Sequence, residues 1–119
     1  MPDPVADETL DPADWEAMRR LAHRAVDDGL AYLQQARDRP VWQPIPPDVL
    51  AQLRSSAPRE PQGAEAAYQE FRELVLPYAM GNTHPRFWSW FMGNGTAFAA
   101  VGDFLAAVMN PNMGGGNHM

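Results

Sequence analysis

Four prolines within nine residues, Pro40, Pro44, Pro46 and Pro47, set the hardest limit on what this chain can become. Each ring locks its own φ, withholds a backbone N–H and drives the preceding residue away from helical geometry, so Arg39 to Pro47 is not a helix. The spacing predicts an extended, polyproline-like strap laid across a surface. On either side of it the pattern turns helical.

The first helix is announced by Asp11 as its cap, Pro12 at the first helical position and Asp14 in the first turn, where the helix dipole favours an anion. Its body is expected to run to about Ala36. Trp15, Met18, Ala22, Ala25, Val26, Leu30 and Leu33 form an apolar stripe, with Arg19, Arg20, Asp27 and Asp28 mostly off it. One face of this helix wants a partner. Beyond the strap, Asp48 to Leu53 offers a short helix, and Ser55 to Gly63 is a loop rich in Pro, Ser and Gly. Ala64 to Leu76 then carries Ala67, Tyr68, Phe71, Leu74 and Val75 at helical intervals and stops at Pro77.

From Met80 the character changes. Gly81 to Pro85 is turn-like, and Arg86 to Met92 is a dense aromatic run expected to be extended. Phe87, Trp88, Trp90 and Phe91 cannot all face one way on an extended segment, so one face is expected to meet something other than this chain's own core. Asn94-Gly95-Thr96 resembles a helix start, and Phe98, Val101, Phe104, Leu105 and Val108 give the last helix an apolar face until Asn110-Pro111 ends it. The fold class read from these patterns is mainly α-helical: four helical pieces, a proline-rich strap and an aromatic segment, with no internal repeat and no convincing paired strands. Residues 1–10 are expected to be a disordered leader and 11–119 a helical region that halts at Gly114-Gly115-Gly116, as an interruption would.

Composition narrows the function classes. With 119 residues, 45% of them apolar, the chain has material for one small domain with a modest core, not two. A formal charge of -6 argues against nucleic acid or an anionic membrane as partner. No run approaches the about 18 uninterrupted apolar residues of a membrane span, and the first ten residues lack the basic and apolar regions of a secretory signal. Without cysteine there is no disulfide, thiolate nucleophile or cysteine metal site, in keeping with the cytoplasm. All nine basic residues are arginine, so no lysine can serve as a Schiff-base amine.

Few residues ask for chemistry. His23, His84 and His118 lie far apart with no neighbour at a metal-ligand spacing, so no metal site is expected, and His84 before Pro85 reads as a turn histidine bonded to backbone. Gly93-Asn94-Gly95-Thr96 and Gly114 to Gly116 lack the residues of a phosphate-binding fingerprint and read as a helix cap and a flexible tail. Glu65, Glu70 and Glu73 read as a solvated face. Ser55, Ser56 and Ser89 lack the context of a nucleophile elbow. No catalytic residue is assigned.

At His84-Pro85-Arg86-Phe87-Trp88-Ser89-Trp90-Phe91-Met92-Gly93 the chain resembles the His-Pro-x-Phe-aromatic segment of the group II pyridoxal-phosphate-dependent amino-acid decarboxylases, the aromatic-L-amino-acid and glutamate decarboxylase family. The strap, the Pro58 to Pro61 loop and Asp103 to Ala107 leading to Asn110-Pro111-Asn112-Met113 extend the resemblance over roughly residues 12 to 118. It implies an N-terminal segment of a larger α/β enzyme of the type I pyridoxal-phosphate fold, cut before the cofactor-binding domain. It also implies a homodimer with helices packed across the partner subunit, pyridoxal phosphate as cofactor, an amino-acid substrate and loss of its carboxylate as carbon dioxide. By position, Trp90, Phe91, Met92 and Gly93 match the stretch bordering the substrate side chain, and Asn112 to Gly114 match a loop approaching the neighbouring active site. Met92 and Gly93 stand where aromatic decarboxylases carry Pro-Thr, which leaves the substrate open. Lacking the cofactor lysine, the 119-residue chain alone is expected to be inactive. The alternative is a self-standing helical module that binds a protein through its Trp and Met surface.

Overall fold

The first helix starts where a carboxylate can reach two orphan amides. In the computed structural model, which describes residues 9–110 and Gly114, Asp14 has extended backbone and its Oδ1 accepts from the N–H groups of Glu16 and Ala17, both at 2.9 Å. Asp14 is therefore the cap of α1 (Trp15–Gln34), in place of Asp11, whose own N–H donates to Thr9 Oγ1. Pro12 lies ahead of the helix, not inside it. The chain leaves α1 through a 3₁₀ turn, Ala36–Asp38, and enters the strap without helical structure until α2 (Pro47–Leu53). Pro47 opens α2, one residue earlier than the sequence suggests, because a first-turn residue has no helical acceptor for the N–H that proline lacks.

α3 (Ala64–Glu70) begins behind Gly63, but the expected single helix to Leu76 is not uniform. Phe71–Val75 widens into a π turn, with the Leu76 N–H bonded to the Phe71 carbonyl, and Leu76–Tyr78 tightens into a 3₁₀ turn. Pro77 accounts for the change of winding: it cannot donate to the carbonyl of Glu73, and its ring would press on that carbonyl in a regular α-helix. α4 (Ala97–Met109) is capped as anticipated: Thr96 Oγ1 accepts from the Ala99 N–H at 3.1 Å, and Asn110 ends the helix in left-handed geometry. No strand occurs among the described residues. Of the expected leader, residues 1–10, positions 1–8 lie outside the described residues, as do 111–113 and 115–119.

Polar side chains hold α1 against α3. Tyr68 Oη donates to Asp28 Oδ2 at 2.7 Å, and Arg72 Nε approaches the same oxygen at 3.1 Å. One turn earlier, Arg24 Nη2 donates to both carboxylate oxygens of Glu65, and its guanidinium lies 5.6 Å from the Tyr68 ring centroid. Glu65 is thus an ion-pair partner and not only a member of a solvated face. The apolar content of these contacts is thin. Ala36, Val49 and Leu74 are the buried hydrophobic residues among those described, and no described side chain is fully enclosed.

The surface is correspondingly large. The accessible area is 10579 Å², where a compact protein of this mass exposes about 6,400 Å². The radius of gyration is 19.0 Å, against about 13.5 Å for a compact domain of this length. Trp15, Val26 and Leu30 on the stripe of α1 are exposed, and every residue of α4 is exposed, although Asp103 is its only charge. A helix so apolar around most of its circumference belongs in an interior.

Burial, then the hydrogen bond to Asp28 and its charge, push the Tyr68 hydroxyl above its ordinary value near 10, with Arg72 and Arg24 opposing. Because the folded form holds this proton more tightly than the unfolded chain, the associated stability is present below about pH 10 and is lost as pH rises through the folded value. Alkaline titration of phenolate absorbance is expected to show one late tyrosine that moves to lower pH in Asp28→Asn. That variant is expected to lose about 1 kcal/mol in urea denaturation, the scale of one net hydrogen bond.

Candidate functional site

Gly81 brings the aromatic segment onto the strap. Its φ is +82°, and a Cβ there would fall on the carbonyl oxygen of Val41, so the backbone approach requires a residue without a side chain. From this contact two turns follow. The His84 N–H donates to the Gly81 carbonyl at 2.9 Å, and the Phe87 N–H donates to the His84 carbonyl at 3.0 Å. Between them the His84 ring closes a third bond, its Nδ1 accepting from the Arg86 N–H at 2.9 Å. This bond assigns Nδ1 as an acceptor, leaving the proton of the neutral ring on Nε2. His84 is buried, the reading of a turn histidine bonded to backbone.

The strap, the end of α1 and this turn enclose a cavity of about 250 Å³ whose lining includes Tyr32, Arg39, Trp42, Pro77, Thr83 and His84. The Arg39 guanidinium stacks 3.3 Å from the Tyr32 ring centroid, and its Nη2 donates to the Tyr32 carbonyl at 2.8 Å. Gln43 Nε2 donates to the Pro77 carbonyl at 2.9 Å, tying the strap to the end of the α3 segment. No group of three His, Asp or Glu side chains placed to hold a metal ion occurs among the described residues.

Beyond Phe87 the aromatic run is not extended. Trp90 has φ +65°, a left-handed conformation unfavourable for a bulky side chain, and the chain bends through Ser89 to Phe91. Asn82 Nδ2 donates to Asn94 Oδ1 at 3.2 Å, closing a neck beneath residues 82–94. The segment is a closed surface loop of the Ω kind; Phe87 at its base is partly covered, and the aromatic side chains of Trp88, Trp90 and Phe91 are exposed. Trp88 is 91% exposed, Trp90 79% and Phe91 109%, with Met92 half-covered and nothing within 4 Å of the place a Gly93 Cβ would take.

Of the residues singled out from sequence, Trp90, Phe91, Met92 and Gly93 therefore share one outward-facing loop. Gly114 is exposed in a bend after α4, and Asn112, like His118, lies outside the described residues. The neck pair Asn82 and Asn94, the Gly81 contact and the Arg39–Tyr32 stack were not singled out. A pair of Asn residues flanking an aromatic run was the available signal for the first, whereas the Gly81 contact depends on distant segments meeting and the Arg39–Tyr32 stack on the turn that folds the chain back at the end of α1.

No protein-family model matches the chain. Among curated proteins, it is 35% identical over 113 residues to a tyrosine decarboxylase of Oryza sativa subsp. japonica, covering 90% of this chain and 21% of that protein. It is 29% identical over 108 residues to tryptophan decarboxylase 2 of the same plant, covering 87% and 21%. Among solved structures, the Oryza sativa TDC crystallised with PLP and tryptamine matches with TM-score 0.71 and 27% identity, over 88% of this chain and 22% of that one. The chain thus spans about a fifth of the length of the curated relatives it matches, in keeping with an N-terminal segment of a larger type I pyridoxal-phosphate fold.

Two glycines separate the loop anchor from ordinary helix propensity. Gly81→Ala is expected to cost more than about 1 kcal/mol through strain at positive φ and displacement of the strap. Gly29→Ala, inside α1 with nothing within 4 Å of the new methyl, is expected to gain about 0.5–1 kcal/mol. Urea denaturation of both variants followed by circular dichroism checks the opposite signs.

Proposed function

By sequence and by fold the chain belongs to the pyridoxal-phosphate-dependent amino-acid decarboxylases, and from that premise we propose that it is the N-terminal part of a carboxy-lyase, contributing subunit packing and a border of the substrate pocket. The observation that carries the proposal is the closed loop with Trp88, Trp90 and Phe91 turned outward, in a chain whose relatives along nearly its whole length are aromatic amino-acid decarboxylases.

The residues present do not fit the role of cofactor anchor. The sequence contains no lysine. Arg24 and Arg72 are engaged with carboxylates, and Arg39 with Tyr32. Thr96, at the start of α4, bonds its own helix. The groups that hold pyridoxal phosphate are assigned to the rest of the enzyme, and the chain alone is inactive. Its own residues act on the substrate's side chain: Trp90 and Phe91 supply apolar area, Met92 an adaptable contact, Gly93 space, and together they exclude water. Gly114, and Asn112 outside the described residues, match by position the family loop assigned to the neighbouring active site. The substrate class is an amino acid with a large apolar or aromatic side chain.

The exposed stripe of α1 and the whole of α4 are covered in the assembled enzyme by the remaining fold and by a second subunit. The surface in excess of a compact domain is on the scale of an obligate interface, which runs to about 2,000–5,000 Å². No helix among the described residues is long and apolar enough to cross a membrane, and the cysteine-free composition suits the cytoplasm. A self-standing interaction module is opposed by the scarcity of buried side chains.

Reading the coding region past Met119 is expected to reveal a long α/β region containing a lysine for the cofactor. The whole enzyme, loaded with pyridoxal phosphate, is expected to release carbon dioxide from aromatic amino acids, and the 119-residue chain to release none. In the whole enzyme Trp90→Ala is expected to raise KM about tenfold, the scale of one lost ring contact. A frame that stops at Met119, or an assembled enzyme without carboxy-lyase activity, would overturn the proposal.

A further inference from the structure

The geometry points to His84 as the positioning residue of the aromatic loop: its ring acts as a backbone-directed acceptor that sets the direction in which Trp88 to Phe91 leave the strap. This assignment rests on the proposal that the loop borders the substrate, and it adds the device that holds the loop in place.

Three observations carry it. His84 is the buried polar residue among those described, although it stands at the base of a loop whose tip is almost wholly exposed. Its Nδ1 accepts from the N–H two residues ahead, across Pro85, at 2.9 Å. An Asn or Asp side chain makes the same i to i+2 bond in an Asx turn, so the imidazole reproduces that turn with a larger, more easily buried ring. The main chain of the same residue takes part in two further turns, toward Gly81 and from Phe87. Three hydrogen bonds thus converge on one residue.

The loop needs such a device because its other restraints are weak. The Asn82–Asn94 neck is a single partly exposed bond of 3.2 Å, and the positive φ of Trp90 is a conformation the chain would leave if its base were loose. The base, by contrast, is seated. Gly81 rests on the Val41 carbonyl, and His84 lines the same cavity as Arg39 and Tyr32. Deleting the acceptor frees the Arg86 N–H and lets the aromatic tip swing, a displacement that costs substrate positioning before it costs the fold.

Two measurements separate this role from simple structural support. In the whole pyridoxal-phosphate-loaded enzyme, His84→Leu is expected to raise KM for an aromatic amino acid about tenfold with kcat and cofactor absorbance little changed, whereas His84→Asn, which retains an acceptor two residues before Arg86, restores KM to within about twofold. Equal damage by both variants, or no change in KM with Leu, overturns the assignment. The second measurement is independent of decarboxylase activity. Nitrogen-15 NMR of the whole enzyme is expected to show the neutral His84 ring protonated on Nε2 with a slowly exchanging Arg86 amide, and a ring protonated on Nδ1 overturns the assignment. An enzyme without activity whose His84 nevertheless gives the expected spectrum would refute the substrate reading and keep the loop anchor.

Discussion

The chain cannot cover its own apolar surface. Among the described residues a few side chains reach burial, none is fully enclosed, and α4 leaves phenylalanine, leucine and valine exposed. Folding offsets the conformational entropy of ordered residues chiefly by removing apolar area from water, and here much of that area stays in contact with solvent. What remains within the chain is sparse: capped helices, paired charges and one close backbone contact. Such interactions can fix the relative placement of two or three segments while leaving the stability of the whole to another body of protein.

That division explains where the specific contacts sit. The Asp28–Tyr68–Arg72 cluster fixes α3 on α1 without needing a deep core, and the Gly81–Val41 contact fixes the base of the aromatic loop on the strap. Both orient surfaces that face outward. The similarity to plant aromatic amino-acid decarboxylases, over about a fifth of their length, supplies a reason for the arrangement. On the proposed function, a segment that borders a substrate and packs on other parts of an enzyme needs internal order at its base and unsatisfied apolar area at its faces.

Much of the framework was legible in the residues. The proline strap, the loop before α3, the Thr96 cap and the Asn110 stop follow from backbone chemistry that acts over a few positions, and the resemblance carried by His84 to Gly93 named the family. The cap of α1 was placed on Asp11 because Pro12 suits a first helical position, yet Asp14 reaches two amides and prevails. The extended reading of the aromatic run failed at Trp90, whose positive φ belongs to a closed loop and not to its own preference. Glu65 looked like a solvated carboxylate because its partner, Arg24, is 41 residues away. Periodicity sees neither kind of closure.

Hydrogen exchange along α4 addresses the central claim most directly, since this helix is the largest apolar element left uncovered. Comparison of the isolated chain with the whole enzyme is expected to show α4 amides exchanging at nearly unprotected rates in the first and strongly protected in the second. Equal, strong protection of α4 in an isolated monomer would contradict it, for the helix would then be stabilised by this chain alone.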